Sequence, residues 1–306
     1  MQILSVGDAH ITGKNPIARI DDLTETQYEK WEEIRDYANA KNVPIVSSGD
    51  IFNVSVVANS VKSKFGGIIS TLKNPLYFVW GNHDLLYHAL KIWDRTSLGV
   101  MLKNNPKVKH ISSFEEDYGV AWDWIDWDTP LKSNGARFLL SHKAIISNKQ
   151  MDASFWIGRD KSFAMTVGKW SENYRIIQCG HWHKQYSFKS GKTIVINPGP
   201  VSRINTEDNL HPSICLINLD TGVFRRYSLQ SAKPFEEVIS NKHIIRKENN
   251  SENIKRFLSS IDKSNSRYGS SFMENIMNIV ESHELDKEME ELLIDILSKS
   301  REKKNK

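Results

Sequence analysis

Five short stretches of this chain carry residue types that hold metal ions. Asp8-x-His10, Gly49-Asp50, Gly81-Asn82-His83-Asp84, Ser141-His142 and Gly180-His181-Trp182-His183 together offer carboxylates, imidazoles and an amide oxygen. Singly, Asp-x-His or Gly-Asp is ordinary turn chemistry. A turn also explains Gly81 and Asn82, but not a histidine followed by an aspartate. The last stretch is the most specific, because two histidines two apart at a strand end point both imidazoles into one cleft. Mixed carboxylate, imidazole and amide donors suit Mn²⁺, Fe²⁺ or Zn²⁺, and no thiolate is needed. The set suffices for two ions sharing one carboxylate. Such a pair, about 3.5–4 Å apart, activates water and clamps the attacking and leaving oxygens of a phosphoryl displacement.

These stretches lie far apart in sequence, so the elements between them must bring them together. Ile3 to Val6 is apolar and ends in Gly7-Asp8; Thr24 to Lys41 has the caps and charge pattern of a surface helix. Val43 to Val46 leads into Gly49-Asp50, and after a helical stretch from Val54 to Leu72 the run Leu76 to Trp80 leads into Gly81-Asn82-His83-Asp84. This βαβαβ rhythm predicts parallel strands flanked by helices. Ligands of such sheets sit beyond the carboxyl ends of the strands, where all three clusters fall. The second half is richer in strands: Tyr118 to Ile125, Arg137 to Leu140 before Ser141-His142, and Tyr174 to Cys179 before Gly180-His181. A hairpin is expected through Ser190-Gly191 and another through Asp220-Thr221-Gly222. Lys143 to Lys169 has weak periodicity and reads as a long surface excursion.

The chain has 306 residues, 39% hydrophobic and 25% charged, with two cysteines and a formal net charge of +4. These values exclude a disordered or collagen-like chain and a disulfide scaffold. With only Cys179 and Cys215, a reducing cytoplasm is expected. No apolar run reaches the ~18 residues of a membrane helix, and the N-terminus reads as a strand rather than a signal peptide. The mild basicity is compatible with a phosphate-bearing partner. Near Ser231-Ala232-Lys233-Pro234 the strand pattern stops and charged helical patterns begin. The expected organisation is therefore a domain over 1–232 and a smaller helical region over 233–306. Within the latter, Leu285, Met289, Leu292, Leu293 and Ile296 share one face at helical spacing. A basic tail, Arg301 to Lys306, closes the chain.

The five stretches resemble, in order, the five motifs of the calcineurin-like metallophosphoesterases, over roughly the first two thirds of the chain. The resemblance implies an α/β fold, a four-layer α/β/β/α sandwich with a dinuclear centre, here with a small C-terminal helical appendage. It implies that Asp8, His10, Asp50 and His183 hold one metal, and that Asp50, Asn82, His142 and His181 hold the other. It also implies that His83 assists the leaving oxygen while Asp84 orients the His83 ring. Gly49-Asp50-Ile51-Phe52, Leu85-Leu86-Tyr87, Lys103 to Val108 and Ile125-Asp126-Trp127 resemble, further, the SbcD-type nuclease subunits and their short phage counterparts. That similarity implies a Mn²⁺-dependent DNA exonuclease with single-strand endonuclease activity in replication, recombination or repair. It implies DNA and an SbcC-type coiled-coil ATPase as partners, the latter through the C-terminal helices, and leaves a homodimer open. The location implied is the cytoplasm, that of the host if the chain is phage-encoded. The region after Pro234 is short for a DNA-capping domain, so that domain is expected to be reduced.

Two other functions use the same residues: a stand-alone phosphatase or cyclic phosphodiesterase acting on a small substrate, and a non-catalytic scaffold. The intact ligand set argues against the scaffold. Arg203, just after Pro200, is a candidate for a substrate phosphate. Trp122, Trp124 and Trp127 read as core aromatics. Trp182 lines the cleft or supports it. His88, His110, His211, His243 and His283 lack ligand spacing, and Cys179 reads as an inert core thiol.

Overall fold

The computed structural model describes residues 1–147, 164–170, 172–204 and 210–240. The first half follows the expected alternation. Strand β1 (Gln2–Val6) is followed by helix α1 (Leu23–Lys41), β2 (Ile45–Ser47), α2 (Asn59–Ser70), β3 (Leu76–Phe78), α3 (Ser97–Asn104) and β4 (Val108–His110). Helix α1 begins where Asp22 accepts the Glu25 N–H and ends at Asn42, whose left-handed backbone returns its N–H to Ala38 and Asn39. Both are common ways of satisfying terminal backbone groups.

The second half is mostly strands: β5 (Asp123–Ile125), β6 (Phe138–Ser141), β7 (Ala144–Ile146), β8 (Ala164–Thr166), β9 (Ile176–Cys179), β10 (Tyr186–Ser190), β11 (Thr193–Asn197), β12 (Ser213–Asn218) and β13 (Phe224–Ser228). The strand expected from Tyr118 is shorter, because Phe114–Tyr118 forms a short helix that Gly119 ends in a left-handed conformation. The expected excursion after Lys143 contains β7 and β8, paired in parallel as a small separate sheet. Its residues 148–163 lie outside the described residues, as do 241–306, and with them the helices expected at the C-terminus.

Two sheets face each other. One has the order β13-β12-β1-β2-β3-β4 and the other β10-β11-β9-β6-β5. β1 to β4 are parallel, as are β5, β6, β9 and β11, while the edge hairpins run antiparallel. Alternation along each strand divides the apolar residues into layers. Leu4, Val6 and Phe78 face Trp31, Ile34 and Phe65 of the helices. Ile3, Val46 and Tyr77 face Leu140, Ile176 and Ile196 across the gap between the sheets. Ile177, Cys179 and Val195 on the far side pack on Ile145, Trp170 and Tyr174. These layers form the α/β sandwich expected from the sequence, two facing sheets with helices packed on the first. Among the described residues no helix is long and apolar enough to cross a membrane. Both cysteines are buried and free, and burial pushes the Cys179 thiol up to about 11.

Candidate metal centre

Parallel strands in both sheets end at one place, and there the chain turns sharply. His10, Asp50 and His181 all have left-handed backbones, with φ of 49°, 49° and 65°. For residues with a Cβ this conformation costs roughly 1–2 kcal/mol each, and such strain clusters at functional sites. It is held by neighbouring loops: the N–H groups of Ala9 and His10 both donate to the carbonyl of Asp50, at 3.0 and 2.9 Å. Gly180 allows a close approach. A Cβ there would lie 2.5 Å from both Asp8 Oδ1 and Ser48 Oγ.

The side chains converge in two overlapping groups. In one, His183 Nε2 lies 2.9 Å from His10 Nε2 and 3.7 Å from Asp8 Oδ2. In the other, Asn82 Oδ1 lies 2.9 Å from His142 Nε2 and 3.1 Å from His181 Nδ1. Asp50 connects them. Its Oδ1 accepts the His83 N–H at 2.8 Å, and its Oδ2 stands 3.7 Å from His10 Nε2 and 3.4 Å from His142 Nε2. Ligand atoms of Asp8, His10 and His183, of His10, Asp50 and His83, and of Asp50, His142 and His181 fall within 4.8 Å of one another in each trio. All seven residues expected to hold metal are thus brought together.

The donor set suits cations. His142 Nδ1 faces the carbonyl oxygen of Ser48 at 2.8 Å and must carry the proton. In the neutral ring Nε2 is then a lone pair aimed at two further acceptors, Asn82 Oδ1 and Asp50 Oδ2. Only a proton or a cation satisfies that arrangement, and a second-shell carbonyl of this kind is usual behind a metal-ligating histidine. Burial opposes charge on Asp50, but His142, His10 and His83 outweigh it and hold the carboxyl well below the usual carboxylate range. Burial also opposes charge on His142, yet Asp50 and Asp8 push it up to about 9. Burial pushes His10 well down. Burial and the proximity of His142 bring His181 down to about 3. Both rings are therefore neutral with lone pairs available, as ligation requires.

The structure gives Asp84 a different task from the expected one. Its buried carboxylate accepts the N–H of Phe52 and the N–H of Gly81, both at 3.1 Å, so it braces two loops rather than the His83 ring. Burial and Asp50 push it up to about 8. The His83 ring is oriented by Asn53, whose carbonyl oxygen lies 2.7 Å from Nδ1. Arg203 is 4% exposed, and its guanidinium donates to the carbonyls of Leu210 and Lys233, so these contacts are structural.

Trp127, expected as a core aromatic, also lines the centre. Trp127 lies 5.8 Å from the His142 ring and 5.0 Å from the His181 ring, walling one side. Asn82 O accepts from His88 Nδ1 at 2.9 Å. His110 Nε2 lies 3.0 Å from Asp126, and His211 Nε2 donates to Leu229 O. Trp182 packs on Tyr186. His243 and His283 lie outside the described residues. A cavity of about 660 Å³ is lined by His83 and His183 of the centre and by Lys14, Asn53, Val54 and Val56.

The family model described as Calcineurin-like phosphoesterase superfamily domain matches residues 1–222. No curated protein matches. Among solved structures, an archaeal phosphodiesterase is 16% identical, with 75% of this chain and 100% of that chain covered at a TM-score of 0.39. Vps29 of Entamoeba histolytica is 14% identical, covering 74% and 99% at a TM-score of 0.36. Vps29 of Cryptosporidium parvum is 15% identical, covering 74% and 97% at a TM-score of 0.33. Likenesses at this level carry no functional information.

Proposed function

The chain belongs to the calcineurin-like phosphoesterase superfamily, whose centres are dinuclear, and from that premise we propose that it is a metal-dependent DNA nuclease. The observation that carries the reading is the cavity beside the centre. Its volume of about 660 Å³ is in the range of pockets that enclose an organic ligand, more than a bare phosphate requires. Its walls pair the Lys14 ammonium, which has no side-chain partner among the described residues, with Val54 and Val56, which are 49% and 59% exposed. A cation and exposed apolar surface suit a polymer with a second phosphate and a flat base. The similarity to SbcD-type subunits supports the same reading and adds an SbcC-type ATPase, gripped through 233–306, as the partner.

Two divalent cations, held by Asp8, His10, Asp50 and His183 and by Asp50, Asn82, His142 and His181, would supply water activation and charge neutralisation at the phosphodiester. Mn²⁺ suits this oxygen and nitrogen donor set. The protein's own contribution is positional and acid–base. Asp50 is shared between the two groups through one oxygen and fixed by the His83 N–H through the other. His83 keeps its Nδ1 proton on Asn53 O and, when charged, delivers the Nε2 proton to the leaving oxygen. Asp84 holds the loops of Phe52 and Gly81 in register beneath it.

The test is release of nucleotides from end-labelled linear duplex DNA with Mn²⁺, beside a chelated control and the His83→Ser variant. Metal-dependent release that is lost in the variant supports the nuclease. Intact DNA with turnover of a chromogenic phosphodiester favours the second reading, a small-substrate phosphodiesterase using the same centre.

A further inference from the structure

Gln178 is fully buried in the middle of β9, itself the central strand of the second sheet. Its neighbour two residues earlier, Ile176, faces the layer between the sheets, while Ile177 and Cys179 face the far side. Gln178 therefore points across the gap between the sheets. Its Nε2 donates to two backbone carbonyls of the opposite sheet, Val46 O on β2 at 2.8 Å and Val6 O on β1 at 3.4 Å. Its Oε1 is buried with no hydrogen-bond partner. A buried amide left half satisfied opposes folding, so its presence at this position calls for a reason.

The reason lies in what the two carbonyls precede. Val6 is two residues before Asp8. Val46 is two before Ser48, whose carbonyl holds His142, and four before Asp50. Gln178 itself is three before His181. One side chain thus ties together the three central strands that carry ligands to both metal groups. Apolar packing between sheets sets their distance but tolerates sliding, whereas a hydrogen bond to a particular carbonyl does not. We propose that Gln178 is a positioning residue, a strut that sets the register of the two sheets so that their strand ends meet as a dinuclear site. The proposal rests on the dinuclear reading but not on DNA as the substrate.

The test is Mn²⁺ binding to the metal-free full chain, followed by electron paramagnetic resonance. Gln178→Met keeps the length of the side chain and removes the donor. It is expected to stay folded by circular dichroism while binding Mn²⁺ about tenfold more weakly, as changes behind metal ligands do. At equal occupancy the spin-coupled signal of a Mn²⁺ pair should give way to isolated-ion lines. Ile177→Val, on the opposite face of the same strand, should leave both readouts unchanged. Binding within twofold of the wild type with an unchanged coupled signal in Gln178→Met would overturn the proposal. So would an equal loss in Ile177→Val. If Gln178→Met does not fold, Gln178→Leu carries the same expectation, and failure of both to fold makes Gln178 a residue of general stability only. Wild-type protein that pairs Mn²⁺ yet leaves DNA intact bears on the nuclease reading and not on this one.

Discussion

The Nδ1 of His83 lies 2.7 Å from the backbone carbonyl oxygen of Asn53. A carbonyl cannot donate, so Nδ1 carries the proton and Nε2 is the nitrogen left for chemistry. The ring also stands 4.8 Å from that of His10, perpendicular to it, and lines the cavity. His83→Ser should therefore retain both metals and lose turnover by roughly 10²–10⁴-fold, the usual worth of a positioned acid. Metal analysis beside steady-state rates checks this. Loss of a metal would move His83 into the ligand set.

Asp50 Oδ2 stands 3.7 Å from His10 Nε2 and 3.4 Å from His142 Nε2, one from each candidate ligand group, and its Oδ1 accepts the His83 N–H. Asp50→Ala should reduce bound metal below two ions per chain. Activity should drop by more than about 10³-fold, beyond the cost of one charge-stabilising donor. A variant retaining two ions and full turnover would show that the groups are bridged by something else.

Gly180→Ala places a methyl 2.5 Å from Asp8 Oδ1 and Ser48 Oγ. Overpacking of this kind costs about 1–3 kcal/mol. Thermal melts should show a lower Tm, and Mn²⁺ titration should show weakening chiefly of the site containing Asp8. An unchanged first-site affinity would mean that the Asp8 loop yields freely.

Lys30 on α1 is 3% exposed, and burial, then Arg19 and Arg203, bring it down to about 8 from 10.5. Between those two values the unfolded chain binds more protons than the folded one. Stability from this group therefore rises with pH across that window, and the cost of burying the charge is fully present below about pH 8. Lys30→Met should raise stability at neutral pH by about 1–3 kcal/mol and flatten the rise above pH 8. Denaturant unfolding at neutral pH and near pH 9 measures both effects. No gain at neutral pH would show that the ammonium reaches solvent when charged.

Removal of Leu285 to Lys306 should leave hydrolysis of a chromogenic phosphodiester unchanged and weaken association with an SbcC-type ATPase. Sedimentation of the mixture reports the association. Equal binding by the shortened chain would place the grip elsewhere.

The strand-end motifs were legible because local rules suffice for them. An apolar run followed by a polar turn is a strand end wherever it lies, and parallel strands deliver such ends to one edge. That logic put Asp8, His10, Asp50, Asn82, His142, His181 and His183 at strand ends, and the structure brings these ends together. The Asp84 role was misread because His83 is its neighbour in sequence, whereas the carboxylate turns to Phe52 and Gly81. Likewise Arg203 looked free for a phosphate until its carbonyl partners were in place.

By itself, then, the sequence determined the alternation of elements, the fold class and the chemical character of the centre, since these follow from residue type and short-range period. The tertiary structure alone decided which oxygen of Asp50 is shared, that Asn53 rather than Asp84 sets His83, that Trp127 walls the centre, and that Gln178 spans the sheets. Each depends on two segments meeting at a distance of a few ångströms, and Gln178 and Val6 are 172 residues apart along the chain. No local pattern encodes such a meeting, because it is fixed only when the two sheets pack.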